Sequence, residues 1–309
     1  MTPPLDSAAL VSGLTDSAVS IFLFHGVTPG GDFGVRNYTG KHLDLDSFVD
    51  IIRHLVGNGH PASMDDLLAH VTGVEPCPER SFVVTFDDGF WNNLSIAAPV
   101  LSDFGVPATF YVTTDFVDLG AMSWVDRIEA AVASTPLSKV TCPRPLEGTH
   151  CIATTEDCIR FMSRVRVQVK GDPSTDADAF ADLLVDLLLG GYPADTVEVL
   201  DRKLSWSDVR QLEADSLFTV GGHGRTHRIL GYLDPTAMRS ELVHCISQLR
   251  TLGGAKAEHF SYPEGFVGSY TTELIETLGA LSVTTGVTTK PGSNALGQDP
   301  MTLKRYFVA

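Results

Sequence analysis

The chain has 309 residues, a length that fits one or two domains or a single α/β barrel. Its 43% hydrophobic and 19% charged residues allow a large buried core and argue against intrinsic disorder. The formal net charge of −16 at pH 7 argues against nucleic acid or an anionic membrane surface as a partner.

The N-terminal segment and the cysteines indicate the compartment. The apolar stretch at residues 18–24 is too short to span a membrane, and no Lys or Arg precedes it as in an export signal. Five cysteines without CxxC spacing are typical of reduced thiols in the cytosol. We therefore predict a cytoplasmic protein with no integral membrane segment.

The first 115 residues alternate between strand-like and helix-like segments. Residues 18–27 and 81–86 are continuous apolar runs, typical of strands that are buried on both faces. Between them, "DLDSFVDIIRHLVGNG" predicts a helix that is capped by Asp44 or Asp46. This alternation favours a mostly parallel sheet that is covered by helices.

Residues from about 121 to 205 interrupt this alternation. They contain two helix-like segments on either side of a polar stretch that is rich in Pro, Cys and Thr. We interpret them as a largely helical insertion into one domain, which either forms a lid or wall over a site or only elaborates the packing.

The alternation resumes after the insertion. Residues 217–222 form a predicted strand, and a long helix follows that is capped by Asp234 with Pro235 at its first position. The segment "AEHFSYPEG" predicts a strand and a turn. The whole chain, residues 1–309, is therefore predicted to be a single barrel-like α/β domain with an excursion at about 121–205.

Two adjacent carboxylates follow the predicted strand at residues 81–86. Asp87 and Asp88 repel each other, and a bound cation or a shared proton would relieve that repulsion. Working residues in α/β barrels lie at the carboxyl ends of strands. The alternative is that one of the two aspartates only begins the turn or caps the next helix.

Two histidines follow the predicted strand at residues 217–222. In a helical turn, the spacing of His223 and His227 places both imidazoles on one side, where they can share one metal ion. Two histidines and one aspartate leave positions open for water and substrate, as in catalytic metal sites. The second aspartate is then available to accept a proton.

The order of these motifs resembles that of a known enzyme family. "TFDDG", "GGHGRTH" and "HFSYPEG" together resemble the polysaccharide deacetylases of the NodB homology group, carbohydrate esterase family 4. The likeness extends over about residues 20–309 and is weakest in the middle excursion.

The resemblance implies a distorted (β/α) barrel of seven or eight strands that hydrolyses N-acetyl groups of amino sugars. It also implies roles for particular residues: Asp87 is the general base, and Asp88, His223 and His227 hold one divalent metal ion. Zinc suits these ligands best, although cobalt, nickel, iron or manganese would also bind. A backbone N–H within Tyr262–Gly265 would stabilise the oxyanion.

The chain departs from the family pattern at three places. Gly224 stands where the family has Ser or Thr, and Ser261 stands where it has an arginine that orients the base; Arg225 or Arg228 is the substitute that the sequence offers. No histidine follows His259, so the late histidine that usually serves as general acid is missing. His25 is the candidate in its place, unless Asp87 returns the proton itself.

Several further residues are substrate candidates. Tyr262 and Trp124 have aromatic faces on which a sugar could stack, although both are equally well explained as core residues. Pro263 and Glu264 belong to the turn next to the expected oxyanion.

Three functions remain open at this point. The first is a metal-dependent carbohydrate N-deacetylase that acts on an amino sugar within a glycan or glycolipid. The second is a deformylase, or a deacetylase of a nucleotide- or lipid-linked sugar precursor. The third is a catalytically weak member of the fold that binds glycan. The oligomeric state is not predicted.

Overall fold

The computed structural model describes residues 13–191 and 194–309. Its strands, in chain order, are β1 (Ala18–Phe24), β2 (Gly26–Thr28), β3 (His42–Asp44), β4 (His60–Pro61), β5 (Ser81–Phe86), β6 (Ala108–Val112), β7 (Lys139–Cys142), β8 (Gly148–Cys151), β9 (Phe218–Gly222), β10 (His259–Ser261), β11 (Thr285–Val287), β12 (Asn294–Ala295) and β13 (Tyr306–Phe307). Its α-helices, in chain order, are α1 (Leu45–Asn58), α2 (Met64–Thr72), α3 (Ala98–Phe104), α4 (Thr114–Leu119), α5 (Trp124–Ser134), α6 (Thr155–Gly171), α7 (Ala177–Leu189), α8 (Glu198–Asp201), α9 (Trp206–Glu213), α10 (Pro235–Thr251) and α11 (Thr272–Ala280).

The chain divides into two compact units. The first contains the described residues up to Gly30, together with Lys41–Ala121 and Arg202–Ala309. The second contains Gly31–Gly40 and Met122–Asp201. The organisation of the chain as one domain with an insertion remains a prediction.

The first unit contains the main sheet. Seven strands lie in the order β11-β10-β9-β6-β5-β1-β12, with β4 beside β5 and β13 beside β1. All of these pairings are parallel except the antiparallel pair of β1 and β12. The sheet is curled, as in a distorted barrel, and the predicted α/β fold class is confirmed.

The helices of this unit begin where their capping residues predict. The side chain of Asp44 accepts a hydrogen bond from the Ser47 N–H and begins α1, so Asp44 rather than Asp46 is the cap. Asp234 caps α10, and Pro235 occupies its first turn as predicted. Helix α1 buries Phe48, Ile52 and other apolar side chains on one face.

A row of phenylalanines crosses four neighbouring strands and fixes their register. Phe24 stacks on Phe86 with ring centroids 5.4 Å apart, and Phe86 stacks on Phe110 at 5.1 Å. Phe110 meets Phe218 edge to face at 5.5 Å. Because Phe24 and Phe86 are the last residues of β1 and β5, the residues that follow them emerge at the same edge of the sheet.

The second unit has its own core. Helices α5, α6 and α7 and the antiparallel hairpin β7–β8 pack around Trp124, Ile128, Phe161 and Leu184. The hairpin occupies the polar stretch in which the sequence predicts no strand. Within the described residues, no helix is both long and apolar enough to cross a membrane. The prediction that no export signal is present concerns a segment whose residues 1–12 lie outside the described residues.

Candidate metal and active site

Asp87 and Asp88 lie in the turn that follows β5. The N–H of Asp87 donates to the carbonyl of Phe24 at 3.0 Å and so continues the ladder between β1 and β5 by one residue. Asp88 then has a φ of 75°, which is uncommon for a residue other than glycine. This change of direction turns the two carboxylates, which are 3% and 4% exposed, toward different neighbours.

Asp87 is held by a buried arginine from the end of the chain. Arg305 binds it through two parallel hydrogen bonds, Nη1 to Oδ1 at 2.8 Å and Nη2 to Oδ2 at 2.7 Å. The hydroxyl of Ser261 donates to Oδ2 of Asp87 at 3.1 Å and accepts from Nη2 of Arg305 at 3.0 Å. The guanidinium also donates from Nε to the carbonyl of Thr288 at 2.9 Å.

This pairing decides the ionisation of Asp87. Burial raises the pKa of the carboxyl, but the Arg305 guanidinium outweighs that effect and the pKa is lowered. Asp87 is therefore a carboxylate at neutral pH with a fixed orientation, because an arginine that binds both oxygens allows little rotation.

Arg305 holds Asp87, as the family resemblance led us to expect of an arginine at position 261. The sequence offered Arg225 or Arg228 as the substitute, but Arg225 pairs with Asp115, Nε to Oδ1 at 3.1 Å. Ser261 keeps a part in the arrangement, because its hydroxyl connects Arg305 to Asp87. The sequence signal for Arg305 is one of two adjacent cations in the otherwise apolar end "LKRYFVA".

Asp88 faces the two histidines of the second motif. Its Oδ1 lies 3.4 Å from Nε2 of His223 and 3.3 Å from Nε2 of His227. Burial raises the pKa of Asp88, but the two imidazoles outweigh it and hold the pKa well below its usual range. Its other oxygen, Oδ2, lies 3.6 Å from Nζ of Lys41.

The two histidines lie on a loop and not on the helical turn that the spacing suggests. Residues 223–229 follow β9 without helical structure. Gly224 has a φ of 77°, and a Cβ there would lie 3.3 Å from Cγ of Pro263, which accounts for glycine where the family has Ser or Thr. The imidazole rings nevertheless meet, with centroids 4.9 Å apart.

Neighbouring elements fix this loop from both sides. The N–H groups of Thr114 and Asp115, in the first turn of α4, donate to the carbonyls of Gly224 and Arg225 at 3.2 and 2.8 Å. From α10, Oε2 of Glu241 accepts from the N–H of Arg225 at 3.1 Å and from that of Thr226 at 3.0 Å. Its Oε1 accepts from the Thr226 hydroxyl at 2.9 Å. Nothing in the sequence pointed to Glu241.

The outer nitrogen of His223 is also fixed. Nδ1 of His223 lies 2.8 Å from the carbonyl of Ser261. Because a carbonyl oxygen can only accept, Nδ1 carries a hydrogen, and Nε2 is the ring nitrogen that faces Asp88 and could bind a metal ion. His227 packs against the ring of Phe116 at 6.0 Å.

These residues fit a divalent metal ion. Two donor atoms at about 2.0–2.2 Å from an ion in a tetrahedral site lie about 3.3–3.6 Å apart, which agrees with the 3.3 and 3.4 Å distances here. Oδ1 of Asp88 is buried and makes no hydrogen bond of good geometry with any described residue. Asp88, His223 and His227 thus form a three-ligand set that leaves a position open.

Asp115, Asp118 and His244 form a second cluster of possible ligands. The side chain of Arg225 lies on Asp115, and Oδ1 of Asp118 accepts from Nε1 of Trp206 at 2.7 Å. We assign no ion there, because Arg225 and Trp206 already occupy carboxylate oxygens of the cluster.

His25 lies between β1 and β2, at the same edge of the sheet as Asp87. It is half-buried, and its ring meets Phe307 edge to face at 5.6 Å. Burial lowers its pKa to about 4, although the negative charges of Asp88 and Asp87 act in the opposite direction. The imidazole is therefore neutral at neutral pH and can donate a proton only after receiving one.

The remaining predicted substrate residues lie in two places. The ring of Tyr262 is buried in the core, its hydroxyl donates to the Met301 carbonyl, and its N–H donates to the Val287 carbonyl. Pro263 has no N–H, so an oxyanion donor from this turn has to be the N–H of Glu264 or Gly265. Trp124 is buried in the core of the second unit. Contact of any of these residues with a substrate remains a prediction.

The comparisons with known proteins agree with the fold and the motifs. The family model "Polysaccharide deacetylase" matches residues 186–283, a range that contains His223 and His227 but begins after Asp88. No significant match was found among the curated proteins.

Solved structures match over nearly the whole chain. The deacetylase PplD of Streptococcus pyogenes, in complex with acetate, has a TM-score of 0.61 and 13% identity, covering 95% of this chain and 93% of that one. IcaB of Ammonifex degensii has a TM-score of 0.59 and 17% identity, covering 96% and 94%. The deacetylase domain of BpsB from Bordetella bronchiseptica has a TM-score of 0.59 and 15% identity, covering 96% and 97%. The resemblance to the polysaccharide deacetylases is thus confirmed, and the structural likeness establishes the fold.

Proposed function

We propose that the protein is a metal-dependent hydrolase that removes an N-acetyl or other N-acyl group from an amino-sugar substrate. One observation carries this proposal: an ionised carboxylate, Asp87, is fixed by Arg305 directly beside the three converging ligands Asp88, His223 and His227. A base beside an open metal site is the arrangement that amide hydrolysis needs.

Asp88, His223 and His227 would hold the ion, and zinc suits this ligand set best, with cobalt, nickel, iron and manganese as alternatives. The ion supplies Lewis acidity, which makes water a better nucleophile and polarises the acyl carbonyl. The Ser261 carbonyl supports the site by keeping Nε2 of His223 available as a ligand.

Asp87 would move the first proton. Its oxygens face the ligand cluster, with Oδ2 at 3.9 Å from Nε2 of His223. It accepts a proton from the attacking water as the C–O bond forms, and Arg305 keeps it from rotating away. The N–H of Glu264 or Gly265 would donate to the oxyanion that forms when water adds to the acyl carbon.

The leaving amine needs a proton when the C–N bond breaks. Two groups can supply it: Asp87, which has just received one, or His25 after it has taken one up. The low pKa of His25 favours Asp87 as the first carrier, because a neutral imidazole has no proton to spare as an acid.

The substrate class follows from the family resemblance and from the structural likeness to PplD, a deacetylase whose structure was solved in complex with acetate. We propose an amino sugar within a glycan, a glycolipid or a linked precursor, and acetyl as the acyl group, with formyl as the alternative. The cytoplasmic location predicted from the sequence would favour a precursor. A protein that only binds glycan would have no use for a base that is held by two hydrogen bonds from a buried arginine.

The proposal is tested by mass spectrometry on acetylated and formylated amino sugars, presented as oligosaccharides and as nucleotide-linked monomers. Protein stripped with a chelator is compared with protein reloaded with each of the five metals. We expect loss of one acyl group only in reloaded protein, and none in an Asp87→Asn variant that still binds the metal. Equal product from chelated protein, or from that variant, would refute the mechanism, and tight glycan binding without product under every metal would favour the binding function.

A further inference from the structure

Lys41 is a further cation at the site, next to Asp88. It lies just before β3, and its carbonyl accepts from the N–H of Gly26 at 3.3 Å, which places it next to His25. Its Nζ lies 3.6 Å from Oδ2 of Asp88 and 4.8 Å from the centroid of the Phe90 ring. The side chain is 21% exposed, so solvent and small molecules reach it.

The two oxygens of Asp88 therefore face two different partners. Oδ1 is directed toward His223 and His227, while Oδ2 is directed toward the ammonium group of Lys41. The 3.6 Å distance is longer than a hydrogen bond, so the contact of the lysine with this carboxylate is an ion pair. Its positive charge acts on this side of the site through space, next to Asp88 and over the ring of Phe90.

Charge balance shows what this lysine does for the site. Arg305 pairs with Asp87 and Lys41 lies beside Asp88, so each aspartate has a cation next to it before any ion binds. A divalent ion held by Asp88, His223 and His227 would then add two positive charges to the site. A protein with a formal net charge of −16 thus contains a local centre that attracts anions.

We propose that Lys41 is a catalytic residue that contacts the negatively charged oxygen of the reacting acyl group and then the carboxylate product. This inference rests on the proposed function, because hydrolysis of an N-acyl group creates that charge. The water oxygen bonds to the acyl carbon, the carbonyl electron pair moves onto oxygen, and the pair returns as the C–N bond breaks and the amine takes a proton. The products are an amine and a carboxylate, and Lys41 supplies the cation on the side of the site away from the histidines.

The experiment measures binding of acetate, which is the product of deacetylation and a small carboxylate, to zinc-loaded protein by calorimetry. The variants are Lys41→Met, which keeps the length without the charge, and Lys41→Arg, which keeps the charge. Lys139→Met, at an exposed lysine of the second unit, removes the same charge as a control. We expect Lys41→Met to weaken acetate binding about tenfold, and the other two variants to stay within threefold of the wild type.

The zinc affinity of each variant is measured by competition with a chelator, and it separates this role from a merely structural one. We expect Lys41→Met to bind zinc as tightly as the wild type or more tightly, because the lost ammonium group repels the ion. Unchanged acetate affinity in Lys41→Met, absence of acetate binding to the wild type, or loss of zinc from the variant would each overturn the proposal. Failure of the proposed function shows itself separately, as absence of acyl release from every amino sugar, whatever the acetate affinities are.

Discussion

Asp87 and Asp88 are neighbours of the same type and almost equal burial, yet their surroundings differ. Asp87 has a permanent counter-charge, since both of its oxygens accept hydrogen bonds from the buried guanidinium of Arg305. Asp88 directs one oxygen at two imidazole nitrogens and the other at a lysine 3.6 Å away. We call Asp87 and Arg305 the Asp87 side of the site. Asp88, the two histidines and Lys41 form the Asp88 side.

The difference explains how two adjacent carboxylates can remain ionised in a buried position. The fixed arginine leaves Asp87 as a charged group of constant orientation, which suits a base. Asp88 faces imidazole nitrogens instead of a guanidinium, and this arrangement suits a metal ligand. The left-handed backbone of Asp88 makes this division possible, because it turns the second carboxylate away from the first.

The largest expected effect is on the Asp87 side. Replacing Arg305 with Gln leaves a buried carboxylate without its partner, which costs about 3–5 kcal/mol of unfolding free energy. The measurement is chemical unfolding of the metal-free protein. Arg53→Gln, at an exposed arginine paired with Asp50, is the control and should cost less than about 1 kcal/mol. If Arg305→Gln lost as little unfolding free energy as Arg53→Gln, the pair of Arg305 and Asp87 would not stabilise the fold.

The next effect distinguishes the two sides directly. Asp88→Asn removes a charged metal ligand, so we expect metal affinity to fall more than about a hundredfold. Mutation of a residue that only supports a ligand typically lowers metal affinity by about 10–100-fold. Asp87→Asn removes the same charge one residue away and should change metal affinity less than about tenfold. Competition with a chelator measures both. Equal losses in the two variants would contradict separate tasks for the two aspartates.

The sequence predicted the residues whose partners lie nearby in the chain or in a known motif. Asp87 and Asp88 were recognisable as a pair at a strand end, and His223 and His227 by their spacing. Arg305 was missed because it lies 218 positions from Asp87, and it reaches Asp87 through the pairing of β13 with β1 and the hydrogen bonds of residues 303–305 to residues 286–290. One arginine in an apolar segment does not indicate which acid it meets.

The fold was predictable to a similar degree. The strands with long apolar runs were found, because burial on both faces leaves a clear pattern. The hairpin β7–β8 was missed, since strands of four residues with alternating burial give little signal within a polar stretch. Strand β11 begins only at Thr285, because residues 281–284 form the turn after α11.

His25 lies near both aspartates and gives a pH-dependent effect of intermediate size. Its pKa is about 4 in the folded protein and about 6.5 when unfolded, so the unfolded state binds the proton more readily below pH 6.5. We therefore expect this residue to destabilise the metal-free protein by about 2 kcal/mol as the pH falls from 7 to 5. Asp87 and Asp88, whose pKa values are lowered, contribute only at lower pH.

The measurement compares unfolding free energies of the wild type and His25→Gln at the two pH values. The unfolding free energy of the wild type, relative to that of His25→Gln, should fall by about 2 kcal/mol between pH 7 and pH 5. His60→Gln, at an exposed histidine, is the control and should show no such change. A constant difference between wild type and His25→Gln would mean that His25 is not shielded from protonation by burial.

The smallest expected effect concerns Glu241, which supports only the Asp88 side. Its carboxylate accepts three hydrogen bonds from the loop between the two metal ligands, and a glutamine has only one oxygen to accept them. In Glu241→Gln we expect metal affinity to fall about tenfold, since His227 loses its support while His223 stays at the end of β9. The amide protons of Arg225 and Thr226 should exchange faster with solvent.

Glu273→Gln, at an exposed position of α11, provides the control. Because Arg305 and Asp87 make no bond to Glu241, turnover at saturating metal should match the wild type, and a fall in that turnover would show that the two sides of the site are mechanically coupled.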